Sequence, residues 1–513
     1  MIRRRAVLAA GAAAAVAGCA RVPEIAGGFS GASEERGHLL RDRRAWPAPA
    51  VQRRTQVVIA GAGIAGLAAA RALRRRGIED FALLDLEDTA GGNSRGSRVG
   101  GVACPLGAHY LPVPGDDARE VQELLEELGL RRRVAGRWTY DERHLCHAPQ
   151  ERLFLEGQWQ EGLLPLHGAG ATTLAQYVRF AREVDAARRT GAFRIPLRRP
   201  AGLAPWDGET FAQWLDARGL RDERLRWYLD YCCRDDYGAG ASVVSAAAGL
   251  HYFAARHGFH PPGFEGGDER DALLTWPQGN GFLAQALAAP LGERFHAGRV
   301  VLRVAEQRHG VELDAWNVRS QQVERWHAAR CIVALPAFVA ARVVEGASAV
   351  HDLAARTVHA PWVVANLHVR RAPRGGEGMP LAWDNVVYGQ AGSLGYVVAS
   401  HQDLDPRPRP TVLSWYCAPG LQARGEVLRQ PWTHWRDRVL RELAGAHPRL
   451  RDLVTEVQVA RFGHAMAVPI PGSLSRPAPL PSGGRLDFAH ADWAGYSVFE
   501  EAFTLGHAAG QRA

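Results

Sequence analysis

Gly61, Gly63 and Gly66 stand in a G-x-G-x-x-G spacing inside the run Val57-Val58-Ile59-Ala60-Gly61-Ala62-Gly63-Ile64-Ala65-Gly66-Leu67. The spacing predicts a strand that runs straight into a helix. The first glycine permits the tight turn, the second lets backbone approach a pyrophosphate, and the third lets the helix lie close on the strand. Ile64 and Ala65, where the helix begins, belong to the same phosphate site. A second apolar run, Phe81-Ala82-Leu83-Leu84, ends in Asp85. That is about 20 residues past the glycines, where this arrangement wants a carboxylate for a ribose. The ligand implied is a dinucleotide; a plain strand-turn-helix is the competing reading in a chain with 56 glycines.

Positioning such a site takes a helix over 67–76, stopped at Gly77, and a buried parallel sheet beneath it. The chain has 513 residues, 47% of them hydrophobic, which predicts two closely packed domains. Its 62 basic and 54 acidic residues are interspersed and leave a net charge of +8, so nucleic acid is not implied. Every basic residue counted there is Arg, which removes lysine from the catalytic repertoire. The cysteines, Cys19, Cys104, Cys146, Cys232, Cys233, Cys331 and Cys417, form no C-x-x-C pair, so neither a metal site nor a disulfide framework is expected. The adjacent Cys232 and Cys233 read as two small buried side chains or as a redox couple.

Arg3-Arg4-Arg5-Ala6-Val7-Leu8 opens an uncharged run that ends at Val16-Ala17-Gly18-Cys19. This has the charged start, short apolar stretch and small-residue end of an export signal, too short to span a membrane. The paired arginines resemble a twin-arginine signal, which implies the machinery that exports folded, cofactor-loaded proteins. Val16 to Cys19 resembles a lipobox, which implies lipidation of Cys19 and a periplasmic protein tethered by a lipid anchor only; an ordinary cleaved signal is the alternative. Residues 20–54 turn to Gly, Ser, Pro and charge and read as a tether or surface arm.

After Asp85 comes Ala90-Gly91-Gly92-Asn93-Ser94-Arg95-Gly96. Here the chain resembles the flavin-containing amine oxidase and phytoene desaturase superfamily, in which a strand-end acid is followed by a Gly-Gly-x-Ser/Thr-Arg turn. The resemblance implies FAD, with Gly91, Gly92, Asn93, Ser94 and Arg95 in the cofactor site. Independently, bare glycine amides beside an arginine make an anion cradle, against the alternative of a plain glycine-rich loop. The loop Cys104-Pro105-Leu106-Gly107-Ala108-His109 is similar to one that passes near the flavin, which brings His109 close to the ring; a helix over 117–130 follows it. The resemblance also implies that Val301 gives its backbone to the adenine, with Val304 the other choice. Near the end, Leu486-Asp487-Phe488, Asp492 and Ser497-Val498 resemble the closing strand, acid turn and helix start that hold ribityl, phosphate and pyrimidine. His490-Ala491-Asp492 stands where Gly-Glu is commoner.

The fold implied is α/β: a Rossmann-like FAD-binding domain built from discontinuous segments, with an inserted α+β substrate domain. Cofactor-domain parts are expected at 55–103, 276–345 and 466–513, a helical cap at 104–275 and a substrate sheet at 346–465. Arg234-Asp235-Asp236-Tyr237-Gly238 either lines the substrate cavity or closes a helix with salt bridges.

Many amine oxidases of this superfamily hold a water on a lysine near the flavin. Here the matching strand, Trp362 to Val369, offers Asn366, so either Asn366 orients that water or the reaction is not standard amine oxidation. His464, ahead of Pro469-Ile470-Pro471-Gly472, is a candidate general base facing the ring or a core histidine. Asp384, Asn385 and His401 are further substrate-side candidates. The activity implied is oxidation of the C–H next to an amine, polyamines included, with oxygen, a quinone or a protein as electron acceptor. A desaturase- or isomerase-like enzyme on a hydrophobic, membrane-derived substrate is the alternative, and a flavin-binding envelope scaffold with little turnover the third. Carboxylates beside aromatics in the pocket favour amines; an apolar tunnel opening toward the tether favours lipids.

Overall fold

The computed structural model describes residues 24–41, 45–262, 272–375, 379–405, 407–481 and 483–513. The paired arginines and Cys19 lie outside them. In chain order, the elements that build the site are β1 (Ala26–Ser30), α1 (Glu34–His38), β2 (Val51–Ala60), α2 (Ile64–Arg75), β3 (Phe81–Asp85) and α3 (Glu223–Tyr237). They continue with β4 (Gln322–Val333), β5 (Val358–Val369), β6 (Thr411–Cys417), β7 (Val454–Val468), β8 (Leu486–Phe488) and α4 (Phe499–Arg512).

β2 runs between β3 and β4, all parallel, with Ile59 opposite Leu83 on one side and Ile332 on the other. β8 adds beside β4, and Phe295–Ala297 beside β3. β4 also turns back, antiparallel, into a meander with Gly310–Asn317 and Arg299–Gln307. Successive β2 side chains point to opposite faces. Val57 and Ile59 pack with Leu67, Phe503 and Ala509 of α2 and α4, while Val58 and Ala60 pack with Ala337, Ala340 and Val343. Cover on both faces explains why the last four residues of β2 are an unbroken apolar run.

The second sheet has eight strands, in the order β1, β7, β5, β6, Ser393–Val398, Asp384–Val387, Glu151–Leu155, Gln158–Glu161. β5 lies inside it, antiparallel to both β6 and β7. Val363, Ala365 and Leu367 on one face meet Trp435 and Val439 of the helix Trp432–Glu442, while Ala360, Trp362 and Val364 on the other join the helical cap. The architecture is thus a Rossmann-like domain built from distant segments, with an inserted α+β domain.

α3 starts at Asp222, whose carboxylate accepts from Leu225 N, and ends at Gly238, where φ is +71°. A Cβ on Gly238 would stand 2.6 Å from the Ala360 Cβ, so the last turn of α3 is pressed onto β5. That contact fixes where Asp235 and Asp236 point.

Several boundaries differ from expectation. β2 begins at Val51, because Val51 to Thr55 already pair with Glu324 to Ala328 of β4. The helix expected over 117–130 is Arg119–Glu127, with Ala118 held in a turn from the Gly115 carbonyl and Leu128 at its C-cap. Of the tether and the surface arm read for residues 20–54, residues 26–41 form the arm: β1 extends the second sheet in parallel with β7, Ala26 opposite Glu456 and Ser30 opposite Ala460.

α4 crosses α2 at glycines. A Cβ on Gly506 would collide with the Ala65 carbonyl, and one on Gly510 would lie 2.5 Å from the Ala69 carbonyl oxygen. Replacing Gly506 with Ala is expected to cost about 1–3 kcal/mol by overpacking. Chemical denaturation should show an earlier midpoint and, with it, earlier loss of cofactor.

Candidate functional site

The three motif glycines do three different things. Gly61 has φ +98°, and a Cβ there would meet the Ala334 carbonyl oxygen at 2.5 Å. A Cβ on Gly66 would collide with the Gly61 carbonyl, so helix and strand touch through backbone. A Cβ on Gly63 meets nothing within 4 Å, because that position opens into a cavity of about 740 Å³. No side chain caps α2 at Gly63, which leaves the helix N-terminus available to an anion. Ile64 and Ala65 line the cavity beside it; Gly66, serving the packing, does not.

Asp85 lines the same cavity, but its carboxylate folds back on the glycine loop, accepting from Ala62 N at 2.6 Å and Glu87 N at 2.8 Å. Burial raises its pKa. Gly91, Gly92, Asn93, Ser94 and Arg95 form the adjoining wall. Asn93 Nδ2 donates to the Ala465 carbonyl, and Arg95 pairs with Glu87 at 3.2 Å. From the far end of the chain, Asp492, Ser497 and Val498 complete this wall. Asp492 accepts from Ala337 N at 2.8 Å and from His359 Nε2 at 3.1 Å. Burial opposes its charge, yet His490 and His359 hold the carboxyl well below the usual range. Ser497 Oγ accepts from Ala467 N, and α4 starts at Val498 with no side-chain cap.

Other walls come from the cap and the second sheet. His109 stacks on Tyr416 with ring centroids 4.2 Å apart, and burial pushes its pKa down to about 3. Tyr110 donates its hydroxyl to Asp235 Oδ2 at 3.0 Å. Asp235 and Asp236, in the last turn of α3, both face the cavity. Burial, with Asp236 next to it, pushes Asp235 up to about 7. Burial also lifts Asp236 to about 6, against the pull of Arg256. Arg256 is itself paired with Glu500 at 3.1 Å. Both readings of the 234–238 stretch hold, because Arg234 pairs with Asp230 while its two neighbours turn inward.

Two assignments need correction. Asn366 is buried and does not line the cavity: its Nδ2 donates to the Pro105 carbonyl, and its Oδ1 accepts from Ser414 Oγ. On β5 it is Trp362 and His359 that reach the cavity. Val301 buries its side chain in the core under the meander, beside a register shift between Val301 and Arg303, a packing that does not oppose the backbone contact expected of it. His464 does line the cavity, but its neighbours are Phe338 at 4.6 Å and His359, the partner of Asp492, which puts it beside the acid turn. Burial and the nearby Arg424 push it down to about 4, so it is neutral but a weak base. Away from the cavity, His401 bonds the His147 carbonyl and Asn385 accepts from Arg152. Sequence reasoning missed Trp362, His359 and Arg256. Trp362 lies on the same face of β5 as Val364 and Asn366, so alternation from Asn366 leads to it, while His359 lies beyond the register shift between Ala360 and Trp362.

A glycine cradle, a helix N-terminus and an acid turn from opposite ends of the chain, closing on one cavity beneath an inserted domain, define a dinucleotide-dependent oxidoreductase. Residues 64–512 match the model of the flavin containing amine oxidoreductases, and the chain belongs to that family. It is an FAD-dependent oxidoreductase. AofH of Mycobacterium tuberculosis (strain ATCC 25618 / H37Rv) is 29% identical over 290 residues, 55% of this chain, and the chain spans 56% of its length. The structure of putrescine oxidase bound to putrescine superposes with a TM-score of 0.67 at 18% identity, covering 90% of this chain and 99% of the other. A fatty acid isomerase from P. acnes that produces CLA gives 0.60 at 15%, covering 89% and 98%. At such identities these two likenesses show the fold alone.

Gly63 separates cofactor binding from folding. Gly63→Val is expected to keep the circular dichroism of the native chain, melt as the native chain does once stripped of its cofactor, and lose the flavin absorbance, because its side chain would fill the open cradle. Gly66→Val is expected to lose both, since it must push α2 off the strand.

Proposed function

We propose that the chain oxidises the C–H adjacent to an amine, polyamines included, and the observation that carries this reading is the pair Asp235 and Asp236. They stand beside Tyr110, Tyr416 and Trp362 in the same cavity as the dinucleotide cradle. Carboxylates attract a substituted ammonium, and aromatic faces accept its cationic and apolar parts. FAD supplies the hydride acceptor. The protein must bind the ammonium, relieve it of a proton and shield it from water. Asp235 suits the proton transfer better than His109 or His464, since a carboxyl near 7 matches neutral pH and imidazoles near 3 and 4 do not.

Anaerobic titration of the purified protein with mono- and diamines, followed by flavin bleaching, tests the reading; no bleaching by any amine overturns it. Asp235 is anionic only above about 7, so its pull on an ammonium grows as the pH rises through that value. KM for the amine is therefore expected to fall from pH 6 to 8 in the native enzyme. Asp235→Asn should raise KM about 10–100-fold, the worth of one hydrogen bond to a charged group, and flatten that dependence.

One observation favours a second reading. The chain has no lysine to hold a water, and β5 gives the cavity the apolar Trp362, which suits a hydrophobic, membrane-derived substrate and desaturase- or isomerase-like chemistry.

We further propose that the chain is exported by the twin-arginine machinery and tethered through Cys19 on the periplasmic side. Support lies in the residues 1–19 themselves. Cys19→Ser is expected to move the protein from the membrane fraction to the soluble one; continued membrane association would exclude the lipid anchor.

A further inference from the structure

The family match begins at residue 64, yet part of the cavity wall comes from ahead of it. Ser33, Glu34, Gly37, His38 and Leu40 face the same space as Gly63, Asp85 and Glu87. The arm that carries them is fastened to both sheets. On the substrate side, β1 pairs with β7, Phe29 lies under the Arg461 guanidinium at 4.0 Å, and Glu34 forms an ion pair with Arg461. On the cofactor side, Ser33 N donates to Glu87 Oε1 at 2.8 Å. Arg36 donates to the Leu86 carbonyl at 2.8 Å and pairs with Asp88 at 3.0 Å. Leu86, Glu87 and Asp88 directly follow Asp85, the residue that closes the ribose-side strand.

We propose that residues 26–41 are a clasp over the adenosine half of FAD, so that this arm belongs to the cofactor site and the cofactor leaves only when the arm undocks. The inference rests on the FAD assignment. α1 has five residues and none of them is buried. A helix that short has no stability of its own, and the polar contacts that hold it are partly exposed. A ligand beneath it adds contacts that the undocked arm lacks. Docking and cofactor binding must then reinforce each other, the arm slowing cofactor release and the cofactor holding the arm down.

Two readouts on the full chain test this. The first is the rate of FAD release on dilution into excess apo-glucose oxidase, which captures FAD, followed by the glucose oxidase activity it regains. Arg36→Ala, which removes two links to the strand end, is expected to speed release about tenfold, the loss of roughly one net hydrogen bond. Ser33→Pro, which deletes the donor to Glu87 at a φ of −77° that proline accepts, should act in the same direction. The second readout is trypsin cleavage after Arg41 in the native sequence, read by mass spectrometry, which should be slower with FAD than without it. Unchanged release in both variants, or cleavage indifferent to FAD, overturns the clasp. If one variant fails to fold, the other variant and the native-chain proteolysis still decide. Failure of the native protein to bind FAD at all would instead strike the cofactor assignment.

Discussion

Everything in the cofactor domain depends on how closely backbone approaches backbone around α2. Gly66 lets the helix touch the Gly61 carbonyl on one side, and Gly506 and Gly510 let α4 lie on Ala65 and Ala69 on the other. Apolar burial alone would tolerate a looser arrangement. The direct contact matters because it sets the helix N-terminus at a fixed distance from the strand end, which is where a phosphate must sit. It also brings the residues near 492–498, the last segment of the chain, to the first phosphate turn.

The cavity has two electrical characters. Around the glycine cradle, the uncapped N-terminus of α2 at Gly63 faces the cavity, an environment suited to holding an anion. Around the end of α3, Asp235 and Asp236 outnumber Arg256, which is itself taken up by Glu500. A molecule with a phosphate-bearing part and a reacting partner that carries positive charge would be sorted to opposite ends by this field. Burial sharpens the sorting by lifting both aspartates toward neutrality, so the acidic end carries full charge only when a cation or a higher pH repays its desolvation.

What could be read in advance divides by range. The glycine motif, the strand end at Asp85, the Gly91-Gly92 turn and the final helix were legible because each is a local pattern with its own turn or packing chemistry. The two-domain α/β plan followed from the same motifs recurring at the beginning, middle and end of the chain. Asn366 could not be placed that way. It shares a face with Trp362 and Val364, and only the distant Pro105 and Ser414 turn that position from open to covered. The dual role of the Arg234–Asp236 stretch was hidden until Gly238 met Ala360, because successive residues in a last helical turn point about 100° apart and only the docking angle says which face looks inward. The arm was the least legible part, for Glu34 finds its partner 427 residues away.

The pairing of β1 with β7 also sets an order in time. The strand that β1 pairs with, Val454–Val468, is synthesised only after β2 to β6. A parallel edge strand has nothing to join until its neighbour exists, so residues 26–30 must wait, unpaired, until residues 456–460 have left the ribosome. The wall made by residues 33–40 therefore closes beside the glycine cradle only once β7 is there to hold β1.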